Sequence, residues 1–241
     1  HFFGLHGTAL MIVPGGSIAI VMLVQMKTIS QRVVRHAKSA VSSHQTIPYR
    51  TLAVVIAMMA LRSWTISGLQ NYVPSWYKDM HYSSFFYGAL VTTLLLSTAL
   101  GTVGSGSLAD KYGRRFPIII SAFLSVPTIL VFAQYPGNGA FLWIALIGFL
   151  AASTMPLLLV IAQELMTGRA GLATGLVLGL GFATSAVGVP ITGAIADHWG
   201  IQNAMRGQAI IGLASAFVAL LLPTEAAIRA IVARQTGAAA A

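Results

Sequence analysis

Cysteine is absent from the 241 residues, which excludes disulfides and thiolate metal sites and leaves the redox compartment unmarked. Charge is almost as scarce. Lys and Arg number 14, Asp and Glu 5, together 8% of the chain, whereas a soluble domain carries roughly 25%. Too few ionic groups remain to wet a surface, so a water-soluble globular fold is excluded and lipid must cover the chain. The six histidines show no ligand spacing, so neither metal nor cofactor is expected. No apolar run alternates with polar residues as a barrel strand would, which excludes a transmembrane β-barrel. Nor is there a basic helix or a basic–aromatic interleaving, so the net charge of +9 does not imply a nucleic-acid partner.

Apolar length is what remains. Hydrophobic residues make up 56% of the chain and mean hydropathy is +0.81. A hydrocarbon core of ~30 Å needs about 20 apolar residues as helix, and seven stretches qualify: 4–26, 51–72, 84–105, 116–134, 140–163, 170–196 and 204–223. The expected fold is an all-α membrane bundle of about seven helices. A polar, basic connection at 27–50 separates the first from a six-helix unit at 51–223, and 224–241 forms a tail. The chain begins at His1 beside an apolar run, with no signal-type cleavage pattern; the expectation is a piece of a longer protein.

The cations set the expected orientation. Lys27, Arg32, Arg35, Lys38 and Arg50 lie in the first connection, Lys111, Arg114 and Arg115 in the next loop on that side, then Arg169, then Arg229 and Arg234. The opposite loops hold Lys78 with Asp79 and Asp197 with Arg206. Positive-inside bias therefore puts the C-terminus in the cytoplasm.

Arg62 stands apart, about eleven residues into its span. A cation at mid-depth costs about 2.5–3.5 kcal/mol on insertion scales. At helical spacing Arg62, Ser63, Ser67, Gln70 and Asn71 share one arc, which predicts a wet face on this helix. Arg62 would either attract an anionic substrate group there or make a structural pair with a distant acid or a carbonyl. Ser67, Gln70 and Asn71 are candidate substrate contacts with it. Ser153 and Thr154, next to Pro156, interrupt the 140–163 span and are weaker candidates for substrate contact than for bonding their own helix. Gly171, Gly175 and Gly179 recur every four residues, which suits close helix packing in lipid, and Pro190 suits a packing or hinge position. Glu164, with Gln163 before it, reads as a cap or a partner for Arg169. The nine methionines read as packing.

The stretch "GSGSLADKYGRR" (104–115) is the densest charge cluster between apolar runs. Gly113 permits a left-handed turn, Gly106 permits close backbones, and Asp110 is placed to accept orphan helix N–H groups or to face a neighbouring helix N-terminus. The cations alone would serve as a topological anchor. Gly106-x-x-x-Asp110-Lys111-x-Gly113-Arg114-Arg115 resembles the loop signature of the major facilitator superfamily. A weaker echo follows at Gly193-x-x-x-Asp197-His198-x-Gly200. "AQELMTGRAGLATGLVLGLGFA" (162–183) and "GAIADHWG" extend the likeness over 51–223 to the C-terminal half of its fosmidomycin-resistance-type branch, with Thr167 where that branch commonly has proline.

The resemblance implies one helix left from an N-terminal half, then the six-helix C-terminal half, of a secondary active transporter in the bacterial inner membrane. By it, the protein is an exporter of a small, anionic compound such as a phosphonate antibiotic. It would be driven by protons and work by alternating access, with Asp110 and the basic pair Arg114–Arg115 bridging neighbouring helix ends across the two halves to hold one state. The implied partners are the lipid bilayer, the missing N-terminal half, the small-molecule substrate and protons. A sugar or metabolite carrier, or a non-transporting membrane scaffold, are the alternatives. An intramembrane hydrolase is disfavoured, because no span holds a central His, Asp or Glu to serve as base.

Overall fold

A computed structural model describes residues 48–236. The expected 4–26 helix and nearly all of the 27–50 connection lie outside the described residues. Every regular element among the described residues is an α-helix: α1 (Tyr49–Asp79), α2 (Ser84–Tyr112), α3 (Arg115–Gln134), α4 (Ala140–Ala152), α5 (Met155–Leu165), α6 (Ala170–Trp199), α7 (Ile201–Leu220) and α8 (Glu225–Thr236). α4 and α5 form one apolar span of 26 residues, Ala140–Leu165, broken at Ser153–Thr154. Pro156 lacks an N–H, which leaves the Ala152 carbonyl without its helical donor and explains a break there. Among the described residues five spans, counting α4 and α5 as one, are long and apolar enough to cross a membrane, six if α7 and α8, bent by 57° at their junction, are one span.

The loops follow from local chemistry. Ser83 caps α2 by accepting the Phe86 N–H at 3.3 Å. α2 ends at Gly113, whose φ of 77° excludes most side chains, and α3 begins two residues later. Gly200 ends α6 in the same way, at φ 83°. In both turns the glycine N–H donates to the carbonyl four residues back, Ala109 or Ala196, at 2.9 Å. The weak echo of the loop signature thus has the same helix-ending geometry as the strong one.

The apolar core comes in two clusters. One gathers Leu52, Val55, Met58 and Met59 of α1 with Ile118, Leu158, Ile161 and Ala219. The other gathers Leu69, Val73 and Tyr77 with Ile129, Phe132, Ile144 and Met205. Between them runs a belt of buried polar side chains: Arg62, Ser63 and Thr65 on α1, Ser121, Ser125 and Thr128 on α3, Thr154 at the break, and Ser185 on α6. Buried methionines are packing residues here, as expected.

Close approach falls on different glycines from those expected. At Gly171, Gly175 and Gly179 an added Cβ would meet nothing within 4 Å among the described residues. On α6 the tight contacts are Gly181 under Ser63 Oγ (2.9 Å from an added Cβ), Gly188 under the Trp64 ring and Gly193 under the Tyr72 hydroxyl. The buried face of α6 reads Ala173, Val177, Gly181, Ser185, Gly188, Thr192, Ala196. Its three- and four-residue steps follow one helix face, and the 171–179 stripe lies off it. On α2 and α4, Gly101 lies against the Phe149 carbonyl and Gly148 against that of Leu94, 2.7 Å from an added Cβ.

Candidate functional site

Two polar constellations stand out, one at mid-depth and one at the basic end. At mid-depth, α1 points Arg62 into the belt rather than onto a wet face; the side chain is 3% exposed. Its Nη2 donates to the Leu150 carbonyl (2.8 Å), Thr154 Oγ1 (2.9 Å) and, more distantly, Ser121 Oγ (3.4 Å). Its Nη1 donates to Ser125 Oγ at 3.1 Å. Ser121 and Thr154 also bond each other at 2.9 Å.

Leu150 lies in the last turn of α4, where carbonyl dipoles carry partial negative charge. The guanidinium therefore meets a helix end, three hydroxyls and no carboxylate among the described residues. One side chain fastens α1 to α3 and to both sides of the broken span.

The other residues of the expected arc are not drawn to it. Ser63 is buried under α6. Asn71 donates to the Ser67 carbonyl of its own helix at 2.8 Å, and Gln70 is half-buried. Ser153 bonds back to the Phe149 carbonyl at 2.7 Å, while Thr154 joins Arg62. Pro190 sits on the exposed side of α6; beside it, the Val189 carbonyl accepts from the Tyr72 hydroxyl at 2.9 Å.

At the basic end, Arg114 stands in the two-residue turn between α2 and α3. Its Nη1 donates to Glu164 Oε2 on α5 at 2.6 Å, both side chains about a third exposed (32% and 40%). Its backbone N–H donates to Glu225 Oε1 at 2.6 Å. Its hydrogen bond to Glu164 holds the Arg114 guanidinium above its ordinary pKa, so it stays charged at physiological pH. Glu225 Oε2 also lies 3.7 Å from Arg229 on α8. A cleft of about 400 Å³ opens among Arg114, Glu164, Glu225 and Arg229.

Two expectations change here. Glu164 pairs with Arg114 rather than Arg169, because the α2–α3 turn projects over the end of α5. Arg169 is exposed where α6 begins, and Gln163 instead ties α5 to α6 through Thr174 at 2.9 Å. The carboxylate that accepts a backbone N–H at this helix start is Glu225, bonded to Arg114 just before α3, and not Asp110. Asp110 is exposed in the last turn of α2, though its charge reaches Arg114. Gly106 is exposed with no described neighbour within 4 Å of an added Cβ. Lys111 lies over the Tyr112 ring at 5.3 Å, and Arg115 donates to the Leu220 carbonyl at 3.1 Å.

Glu225 was not among the expected site residues. A signal existed: Thr224 followed by Glu225 after the last apolar run is a helix start, and Thr224 Oγ1 accepts the Ala227 N–H at 3.3 Å.

Residues 52–239 match the family described as Major Facilitator Superfamily. An uncharacterized MFS-type transporter of Bacillus subtilis is 34% identical over 139 residues, 58% of this chain and 34% of that protein. The fosmidomycin resistance protein of Escherichia coli is 36% identical over 108 residues, 45% and 27% respectively. The tetracenomycin C resistance and export protein of Streptomyces glaucescens is 28% identical over 195 residues, 74% and 34%. The chain spans about a third of the length of the curated relatives it matches.

Proposed function

Because this chain belongs to the major facilitator superfamily, we propose that it is the C-terminal part of a secondary active exporter for a small, anionic compound. In this reading the basic end faces the cytoplasm of a bacterial inner membrane, protons drive the cycle, and two six-helix halves rock about a mid-depth site. Two of the relatives are named for drug resistance, which favours export over sugar or metabolite uptake.

The observation that carries the reading is the Arg114 hub. One residue at the signature loop links the α2–α3 turn to α5 through Glu164 and to α8 through Glu225. All three elements belong to one six-helix half, so the hub acts as a latch only if its contacts rearrange as the halves rock, and such contacts should be weak. A partly exposed ion pair, worth about 0.2–1 kcal/mol, is of that size. Losing about 1 kcal/mol shifts a two-state equilibrium roughly fivefold. Arg62, buried with four acceptors, belongs instead to the rigid framework that the moving parts work against.

The test is drug export by the whole protein in cells stripped of other exporters, with fosmidomycin as first substrate and an uncoupler to remove the proton gradient. Glu164→Gln and Arg114→Ala should lower export at unchanged membrane amounts. Export that survives the uncoupler would remove proton coupling. Full export by both variants would remove the latch.

A further inference from the structure

A second groove lies on the other side of Glu225, between the α2–α3 turn, the first turn of α3 and the α7–α8 bend. It holds about 490 Å³ and is lined by Tyr112, Arg115, Phe116, Ile119, Thr224 and Glu225. Its lining carries one cation, Arg115, and one carboxylate, Glu225. Glu225 is already engaged by the Arg114 N–H at 2.6 Å and faces Arg229 at 3.7 Å. Arg115 is under-used: its guanidinium donates to the Leu220 carbonyl, and its Nε is buried without a partner. Lys111 adds a second cation at the rim, over Tyr112.

The surroundings are apolar and open. Tyr112 and Phe116 stack at 5.6 Å with more than half of each side chain exposed. Beyond them α3 and α7 present exposed apolar side chains. Phe123 meets Phe217 at 6.4 Å there, and Ile120 and Leu220 are exposed on either side. A cation at the head, aromatic side chains at the rim and exposed apolar faces on two spanning helices match one shape: an anionic head on a hydrocarbon tail.

We propose that this groove binds an acidic phospholipid, its phosphate on Arg115 and one acyl chain along the exposed apolar faces of α3 and α7. Spanning helices end with aromatic and basic residues where lipid headgroups lie, and cations there draw anionic lipids. The bound lipid would brace the α7–α8 bend against α3, next to the Arg114 hub but without using its ion pair. The inference does not depend on which compound is exported.

The experiment is thermal unfolding of the full-length protein in detergent, titrated with phosphatidylglycerol, with phosphatidylcholine, or with inorganic phosphate. Phosphatidylglycerol should raise the unfolding temperature, and the other two should not. Arg115→Gln should weaken the apparent lipid affinity about fivefold, the weight of one cation at an anionic surface, and Arg115→Lys should keep most of it. Thr224→Asp retains an N-cap for α8 and adds a negative charge to the groove. It should weaken the effect similarly, and it decides the matter if Arg115→Gln does not accumulate. Equal stabilisation by phosphatidylcholine would overturn the proposal, as would a phosphatidylglycerol response unchanged in the variants. Stabilisation by phosphate alone would reassign the groove to a soluble anion and overturn the lipid assignment.

Discussion

Arg62 offers the sharpest separation between framework and substrate contact. Replacing it with methionine removes four hydrogen bonds but keeps an unbranched chain of similar reach. Hydrogen bonds inside a membrane protein average about 0.6 kcal/mol each, so four are worth roughly 2–3 kcal/mol together. Removing the buried cation recovers about 2.5–3.5 kcal/mol of insertion cost. The two nearly cancel, and Arg62→Met should unfold within about 1 kcal/mol of the parent.

Arg62→Ala has the same balance plus an unfilled void, and large-to-small changes in a core cost about 2–5 kcal/mol; its membrane amount should fall sharply. Arg62→Lys keeps the buried charge, but one ammonium cannot serve Ser125 on one side and Leu150 and Thr154 on the other. It should therefore be less stable than Arg62→Met despite the conservative charge. The assay is export per unit of membrane-inserted protein, alongside unfolding in detergent. Export retained by Arg62→Met supports the framework role. Abundant, stable Arg62→Met protein with no export, together with partial export by Arg62→Lys, would refute it and return Arg62 to the substrate.

Gly188→Ala drives a Cβ into the Trp64 ring, whose Nε1 donates to Thr192 Oγ1 at 3.0 Å. Overpacking costs about 1–3 kcal/mol, so the variant should unfold earlier in detergent, whereas Gly207→Ala, with no neighbour within 4 Å of the added Cβ, should not. Equal stability of the two would show that α1 and α6 are not in this contact. Glu225→Gln keeps the shape but weakens the acceptor at the start of α3. A hydrogen bond to a charged group is worth about 1.5–3 kcal/mol, and the expected readout is faster exchange of the Arg114 backbone N–H. Unchanged exchange there would count against the bond. Gly113→Ala places a side chain at φ 77° and against Glu225; it should disturb the Arg114 hub and lower export more than Gly106→Ala, and equal effects would argue against the turn geometry as the reason for Gly113.

Helix ends were less legible than helices. The 51–72 run became a helix ending at Asp79, because Trp76 and Tyr77 are buried and extend the core past the apolar run. The 204–223 run starts earlier, at Ile201, and stops at Leu220, with a bend before α8. The break at Ser153–Thr154 was visible in the polar pair before Pro156, and the turn at Gly113 in its place within the loop signature. The partners of Glu164 and Arg62 were not visible: Arg114 is 50 residues from Glu164, and Thr154 is 92 from Arg62. No local pattern encodes such separations.

What the sequence determined by itself is the solvent and the class of fold. Scarce charge and long apolar runs require lipid, and lipid requires backbone hydrogen bonds to close within each segment, which leaves helices. The loop signature added the family. Only the tertiary structure decided which glycines meet a neighbour and which carboxylate accepts the Arg114 N–H. It also decided whether the mid-depth arginine looks outward or inward. Those choices depend on how each helix is turned about its axis. Rotation is set by the packing of side chains from distant helices, so it became readable only when the helices were brought together.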